Sequence, residues 1–219
     1  MHSYYSFVTG PLAWIAFIVF ICGSIWRFNS LWQLAKKKDS AVFEYMDRKF
    51  ALRSIAHWLI PFGSRSMQLN PAMTVATFLF HICLFITPIF VFGHVMLWKE
   101  NFNISWFALP NMAADVMTFI VIGSCIFFLW RRIKLPHVKY LTTPLDFIIL
   151  MIVAAPFMTG FWAYHQFPGF VSMTIIHIVS GEIMLMAIPF TKLFHMFLFP
   201  FTRGYIGSEF GGVRMAKDW

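Results

Sequence analysis

The fold is decided by the stretch PAMTVATFLFHICLFITPIFVFGHVML, residues 71–97, which contains no Asp, Glu, Lys or Arg. A helix needs about 20 mostly apolar residues to cross the hydrocarbon core of a bilayer. Four further stretches of the chain meet the same requirement, so the sequence predicts five membrane-spanning helices. The predicted spans are residues 5–26, 71–97, 112–130, 144–164 and 170–199.

The composition of the whole chain excludes an ordinary soluble protein. Of the 219 residues, 59% are hydrophobic and only 12% are charged, and the mean hydropathy is +0.71. Soluble domains carry roughly twice that share of charge. The 28 Phe, 14 Met and 9 Trp present more apolar surface than a chain of this length can bury against itself. We therefore predict one all-α integral-membrane domain over residues 1–219, with lipid as its solvent and no nucleic-acid partner.

Lys and Arg are distributed unevenly between the two ends of the predicted spans. One side of the membrane receives fifteen of them, whereas the other side carries only Lys99. The positive-inside rule then places the N-terminus outside and the C-terminus in the cytoplasm, and predicts a multi-pass protein of the cytoplasmic membrane. The fifteen are Arg27, Lys36, Lys37, Lys38, Arg48, Lys49, Arg53, Arg65, Arg131, Arg132, Lys134, Lys139, Arg203, Arg214 and Lys217.

The connection between the first two spans has an approximately helical pattern of apolar residues. With Ser40 as the N-cap, this pattern predicts an amphipathic helix that lies on the inner leaflet. A docking surface for a cytoplasmic partner is the alternative interpretation. The apolar residues are Phe43, Met46, Phe50, Ile55 and Leu59, and the basic residues between them are Arg48, Lys49 and Arg53.

Four of the eight histidines fall inside predicted spans: His81 and His94 in the second, His177 and His195 in the fifth. Polar side chains at membrane depth are costly and indicate function, although any single one can simply bond a neighbouring helix. His177 and His195 are 18 residues apart, which is five turns of a continuous helix, so we expect both on one face about 27 Å apart. His81 and His94 are 13 residues apart and need the rotation that a kink at Pro88 can supply.

The direction of the two spans predicts how these histidines pair. The second span runs outward and the fifth runs inward, so antiparallel neighbours would bring His81 opposite His195 on the inner side. His94 would lie opposite His177 on the outer side. Two facing imidazoles in an apolar site are the ligands of a haem b, whereas Zn²⁺ requires further ligands that neither level offers. The sequence therefore predicts two haems b with these four histidines as iron ligands. It contains no Cys-x-x-Cys-His motif, to which a haem c would be attached.

The sequences around the histidines resemble the gamma subunit of respiratory nitrate reductase, a five-span dihaem cytochrome b. The matching stretches are FLFHI around His81, FGH ending at His94, IHI around His177 and PFTKLFH ending at His195. The likeness extends through GSIWRF, residues 23–28, and RRIKLPHVKYLTTPLDFIIL, residues 131–150, and so covers nearly the whole chain.

Two departures from nitrate reductase shift the resemblance toward related subunits. The histidine spacing in the second span is three residues longer, and the connection after the first span is also longer. The chain is thus more similar to the cytochrome b subunits of transmembrane redox complexes of sulfate-reducing bacteria. These complexes are of the high-molecular-weight cytochrome c, type II cytochrome c3 and sulfite reductase-linked kinds.

The resemblance implies electron transfer coupled to quinone chemistry. It implies an outer haem near a menaquinone site and an inner haem that passes electrons to a cytoplasmic iron–sulfur subunit. Other membrane subunits and a periplasmic multihaem cytochrome c are further implied partners. By the same resemblance, Gly93 lies beside the quinone pocket and Lys192 pairs with a haem propionate. The quinone-site lysine of the family is replaced here by Ala114, and the adjacent Asp115 becomes the candidate proton acceptor.

Two acidic residues in the spans complete the predicted polar groups. Asp146, at the start of the fourth span, is expected to cap that helix. Glu182, in the fifth span, is expected to form an interhelical hydrogen bond, with a proton-relay role as the alternative. We predict no catalytic residue, so the chain is expected to act as an electron-transfer subunit that needs partners. The alternative functions are a haem-free anchor of a redox complex and a small transporter.

Overall fold

The computed structural model describes residues 2–219, and within this range the chain is helical and contains no β-strand. Five helical segments in it are long and apolar enough to cross a membrane, which confirms the predicted all-α membrane fold. These segments are Tyr4–Lys38, Pro71–Phe90, Asn111–Lys134, Pro144–Tyr164 and Phe170–Ala187. The α-helices are α1 His2–Phe7, α2 Ala13–Lys38, α3 Arg48–Trp58, α4 Arg65–Leu69, α5 Pro71–Phe90, α6 Phe92–Phe102, α7 Asn111–Lys134, α8 Pro136–Leu141, α9 Pro144–Tyr164, α10 Phe170–Ala187 and α11 His195–Ser208.

The chain divides into two compact units. The first unit comprises Val75–Met184 together with the N-terminal residues up to Thr9. The second unit comprises Gly10–Thr74 and Leu185–Trp219. The predicted outer histidine pair lies entirely in the first unit, and the amphipathic segment with the C-terminal tail lies in the second.

In the first unit, α7 packs against α9. The rings of Phe119 on α7 and Phe161 on α9 are 4.8 Å apart between centroids. Phe128, near the other end of α7, contacts Phe80 of α5 edge-on at 5.4 Å. The buried residues of α7 recur every three or four positions, as expected for a helix with one face covered by its neighbours. They are Ala114, Thr118, Val121, Ser124, Cys125 and Phe128.

The second predicted span is divided into two helices. α5 ends at Phe90, and Val91 is extended, with ψ of 135°, before α6 begins. The loop that follows α6 satisfies the last carbonyls of α5: the Leu109 amide donates to Phe90 O and the Trp106 indole donates to Ile89 O, both at 2.8 Å. The prediction of one continuous span over residues 71–97 is therefore wrong, because the chain breaks at Val91 where only a kink was expected.

The fifth predicted span is also interrupted. α10 ends at Ala187, and α11 begins only at His195. Buried Pro189 lies between them and has no backbone N–H with which to continue the helix. The Thr191 hydroxyl donates to Ala187 O at 2.8 Å and accepts the amide two residues further on at 3.2 Å. Thr191 thus ends α10 and caps the short 3₁₀ turn that follows, and the predicted continuous helix over residues 170–199 is wrong.

The first long helix extends beyond its predicted end. α2 continues past Trp26 to Lys38, although the apolar stretch of the sequence stops near Arg27. The last turn of α2 contains Lys36, Lys37 and Lys38. Three cations there stabilise a helix C-terminus because they face the negative end of its dipole.

In the second unit, α3 and α11 form a close helix pair. A Cβ atom added at Gly207 would overlap the side chain of Ser54 and lie 2.8 Å from Phe50 O, so only glycine permits this approach. Ser54 is completely buried at the contact. The Ser208 hydroxyl, on the same part of α11, accepts from the Asp47 amide at 2.6 Å and thereby links α11 to the start of α3.

The predicted amphipathic helix begins later than expected. Asp47, and not Ser40, caps it, because the Asp47 carboxylate accepts hydrogen bonds from the amides of Lys49 and Phe50. Residues 40–43 form a separate 3₁₀ turn. Two residues of the predicted apolar pattern, Phe50 and Ile55, contact α11 and not a leaflet, because α11 glycines allow close packing against them. The opposite face of α3 leaves Leu52 66% exposed.

The C-terminal residues return to α3. The Trp219 ring stacks on His57 with a centroid distance of 4.0 Å. The Asp218 carboxylate accepts from the Ser54 hydroxyl at 2.5 Å and lies 3.8 Å from the Arg203 guanidinium. These contacts close the second unit around α3 and α11.

Candidate functional site

The four histidines predicted to bind haem share one hydrogen-bonding arrangement. In each of them Nδ1 lies 2.7–2.9 Å from a backbone carbonyl oxygen. A carbonyl only accepts, so each Nδ1 carries the proton and Nε2 is the nitrogen with the lone pair in the neutral ring. Metal-binding histidines are oriented in this way. The partners are Thr77 O for His81, Pro88 O for His94, Pro156 O for His177 and Lys192 O for His195.

Two histidines outside the predicted set use the other nitrogen. His57 Nε2 lies 2.6 Å from Gly63 O. His165 Nε2 lies 3.0 Å from a carboxylate oxygen of Asp115. Since Nε2 is already engaged in both residues, the structure separates these two histidines from the predicted ligands.

The predicted outer pair is assembled within the first unit. The ring centroids of His94 and His177 are 5.9 Å apart, and the ring planes differ by 22°. His94 comes from α6 and His177 from α10, as the predicted antiparallel arrangement requires. The structure therefore brings these two imidazoles together from residues 83 positions apart in the sequence.

The carbonyls of two prolines orient this pair. Pro88 lies in the last turn of α5, where carbonyls lack an amide of their own helix, and its oxygen accepts from His94. Pro156 lies inside α9 and its oxygen accepts from His177. The break at Val91 thus has a direct consequence for the site, because it places His94 beside the carbonyl of a residue six positions earlier.

Gly160 is a site residue that the sequence analysis missed. A Cβ atom at this position would lie 2.8 Å from Cε1 and 2.9 Å from Nδ1 of His177. Any side chain at residue 160 would therefore displace the imidazole. The signal in the sequence is a glycine one turn after Pro156 in an apolar helix, but only the packing of α9 on α10 shows which residue it faces.

The outer pair has room for one metal ion that both imidazoles would bind. The ring centroids are 5.9 Å apart, and a metal–nitrogen bond is about 2 Å long. A planar macrocycle also needs room beside its ligands. Gly93, next to His94, and Gly181, one turn after His177, both have open space where a side chain would project. Among the described residues no cluster of three or more His, Cys, Asp or Glu could hold a metal ion.

The predicted inner pair spans the two units. His81 belongs to the first and His195 to the second, so their pairing stays a prediction. The argument that His177 and His195 share one face of a continuous helix is wrong, because α10 ends at Ala187. Lys192, the predicted partner of a propionate, begins the 3₁₀ turn before His195 and provides the carbonyl for its Nδ1.

The acidic residues have separate environments. Asp146 forms a reciprocal capping box with Thr143 at the start of α9, which confirms its predicted role as a cap. Asp115, the candidate proton acceptor, is hydrogen-bonded to His165, a partner the sequence did not indicate. Glu182 is only 7% exposed, and neither of its carboxylate oxygens has a hydrogen-bond partner in the described chain. The interhelical hydrogen bond predicted for Glu182 is therefore not formed.

Comparison with known proteins gives one extensive similarity. No family model matches the sequence. A protein of Nitratidesulfovibrio vulgaris strain Hildenborough, described only as "Protein", is 39% identical over 214 residues, which cover 94% of this chain and 93% of the relative. Identity at this level over almost the full length of both chains means that the chain belongs to the same family as the Nitratidesulfovibrio vulgaris protein.

Proposed function

We propose that this protein is a dihaem cytochrome b of the cytoplasmic membrane. It carries electrons between a menaquinone pool, or a periplasmic multihaem cytochrome c, and a cytoplasmic iron–sulfur subunit. The observation that carries the proposal is the outer pair: the ring centroids of His94 and His177 are 5.9 Å apart, and each Nδ1 is bound to a carbonyl. A haem b bound there would supply a one-electron iron couple.

The residues around the outer pair would fix its chemistry. The carbonyls of Pro88 and Pro156 hold the two imidazoles in one tautomer and raise the basicity of each Nε2. Gly160 allows His177 to approach α9. Apolar surroundings lower the local dielectric and thereby set the potential of a bound metal. The same tautomer at His81 and His195 supports their assignment as ligands of a second, inner haem.

The proposal requires partners, because we predict no catalytic residue in this chain. The basic surface of the second unit, which includes Arg48 and Lys49 of α3, suits contact with a cytoplasmic iron–sulfur subunit. At the start of α7, Asp115 is positioned to accept a proton from a quinol and share it with His165. Gly93 leaves open space beside His94 in which a planar ring can lie.

Transmembrane electron transfer by the purified protein tests the proposal. In vesicles with trapped ferricyanide and an external menaquinol analogue, the wild type is expected to reduce the trapped oxidant. His177→Ala and His195→Ala are expected to slow the reaction to the rate of protein-free vesicles. His137→Ala changes an exposed histidine of α8 and is the matched control, expected to retain the wild-type rate. Equal rates in all four proteins and in empty vesicles would refute the proposal.

The same preparation separates the two alternative functions. A haem-free anchor would show no b-type absorption band in the reduced-minus-oxidised spectrum. A small transporter would show uptake of a solute that His81→Ala and His195→Ala abolish while the spectrum stays unchanged. The shared imidazole tautomer, found at three half-buried histidines and at the exposed His195, favours neither alternative, because packing or uptake does not need the lone pair of Nε2 at all four positions.

A further inference from the structure

Glu182 is the most unusual buried group of the first unit. It lies inside α10, is 7% exposed, and has two carboxylate oxygens without a hydrogen-bond partner. An isolated charge in an apolar interior is very costly, so ionisable groups at membrane depth are either neutral, compensated or functional. The chain itself buries Glu182, so a partner subunit is not needed to remove it from water.

The other ionisable groups of the same unit do not compensate Glu182. Asp115 and Asp146 lie near helix starts and are bonded to His165 and Thr143. The basic residues of the unit lie at helix ends or in connections. Besides Glu182, helices α5, α7, α9 and α10 contain these titratable groups: His81 and Cys83 on α5, Asp115, Cys125, Arg131, Arg132 and Lys134 on α7, Asp146 and Tyr164 on α9, and His177 on α10. Helix α6 adds His94, Lys99 and Glu100.

The position of Glu182 relates it to the outer histidine pair. It follows His177 by five residues, a rise of about 7.5 Å along α10 and a rotation of about 140° around it. Glu182 therefore acts on the site through charge and not through contact with His177. Charges interact more strongly in an apolar interior than in water, because the dielectric constant is lower there.

A haem between two neutral imidazoles changes its net charge with redox state. The porphyrin contributes two negative charges, so the group carries one positive charge with iron(III) and none with iron(II). A carboxylate nearby balances the oxidised state, whereas a neutral carboxylic acid suits the reduced state. Proton binding by Glu182 would therefore keep the summed charge of the haem and this carboxyl group at zero in the oxidised and in the reduced state.

We propose, on the basis of the function proposed above, that Glu182 is a proton-binding site linked to reduction of the outer haem. When one electron arrives from a quinol or a periplasmic cytochrome c, the Glu182 carboxylate takes up one proton from the aqueous phase and an O–H bond forms. When the electron leaves, this bond breaks and the proton returns to water. One electron and one proton are therefore gained or lost together.

Redox-difference infrared spectroscopy of the full-length, haem-containing protein tests this inference. Reduction of the wild type is expected to produce the C=O stretching band of a protonated carboxyl group, shifted by D₂O and by ¹³C-labelled glutamate. Glu182→Gln is expected to lack the band, and Glu100→Gln, which changes an exposed glutamate of α6, to retain it. The outer midpoint potential should fall with rising pH in the wild type and in Glu100→Gln, and should be insensitive to pH in Glu182→Gln.

The outcomes distinguish this inference from the proposed function. A sample with b-type haem that shows no glutamate band on reduction would overturn the role of Glu182 and leave the cytochrome assignment intact. A band that persists in Glu182→Gln would do the same. A sample without haem would overturn both. Should Glu182→Gln fail to accumulate, the isotope shift in the wild type decides whether a glutamate is protonated, and Glu182→Asp, which moves the band, identifies which one.

Discussion

Gly160 and Gly207 are both tightly enclosed glycines, one in each unit, but they face different groups. A side chain at Gly207 would meet another helix, because Ser54 and the backbone of Phe50 lie against it. A side chain at Gly160 would meet the imidazole of His177. The contact at Gly207 joins α3 and α11 into a structural pair. The contact at Gly160 positions the imidazole of His177, whose Nε2 lone pair remains available for a metal ion. Of these two glycines, only Gly160 contacts a residue of the proposed haem site.

The largest effect is expected from Gly160→Ala. Its Cβ would lie 2.8 Å from the ring of His177, so the imidazole must leave its carbonyl, and haem content should fall from two toward one per chain. Gly123→Ala, on α7, meets open space and is the matched control. Alanine favours a helix over glycine by about 1 kcal/mol, so helix propensity would not explain a loss. Two haems per chain in Gly160→Ala would refute the role given to this glycine.

A smaller effect, on stability, is expected from Gly207→Ala. Overpacking of a close contact costs about 1–3 kcal/mol, because neither Ser54 nor the α3 backbone can move away freely. Gly212→Ala adds a Cβ whose nearest neighbours are 3.7 Å away and should be tolerated. Thermal unfolding in detergent, followed by helical circular dichroism, should give a lower Tm for Gly207→Ala only. Identical Tm values would show that α3 and α11 are not held as closely as described.

The smallest effect concerns a polar contact of the second unit. The Tyr205 hydroxyl donates to the Asp39 carboxylate at 2.7 Å, and this hydrogen bond, with some burial, raises the pKa of Tyr205. The bond requires the protonated phenol, so its stabilisation is complete below the ordinary pKa of about 10 and is lost as pH rises through the raised pKa. Asp39→Asn should shift the phenolate absorbance titration to lower pH, with Tyr205→Phe identifying the signal. An unchanged titration would contradict the contact.

The sequence was sufficient for the helices but not for their interruptions. Hydropathy predicts all five spans because a bilayer requires long apolar helices. It does not predict the break at Val91, because a proline three residues earlier is compatible with either a kink or a break. The end of α10 depends in the same way on Pro189 together with the hydrogen bonds of Thr191. Whether the helix continues or breaks at these positions depends on how the surrounding chain packs, and a hydropathy pattern carries no information about packing.

The sequence likewise predicts part of the candidate site but not the groups that orient it. Chain direction, with the second and fifth spans taken as neighbours, predicts that His94 lies opposite His177, and the structure brings their rings to 5.9 Å. The groups that orient the rings could not be predicted, because the Pro156 carbonyl and Gly160 belong to a third helix whose facing side is set by packing. The absence of a partner for Glu182 in the described chain was equally unpredictable, since a sequence gives a residue type and not its neighbours.

Haem content per chain tests the central claim most directly. The pyridine haemochrome assay on purified protein, with the chain quantified by amino-acid analysis, measures it without reference to any partner or substrate. We predict two haems b in the wild type and in His137→Ala, and one in both His94→Ala and His177→Ala. Haem-free wild-type protein from native membranes, or two haems retained in the His94 and His177 variants, would contradict the account.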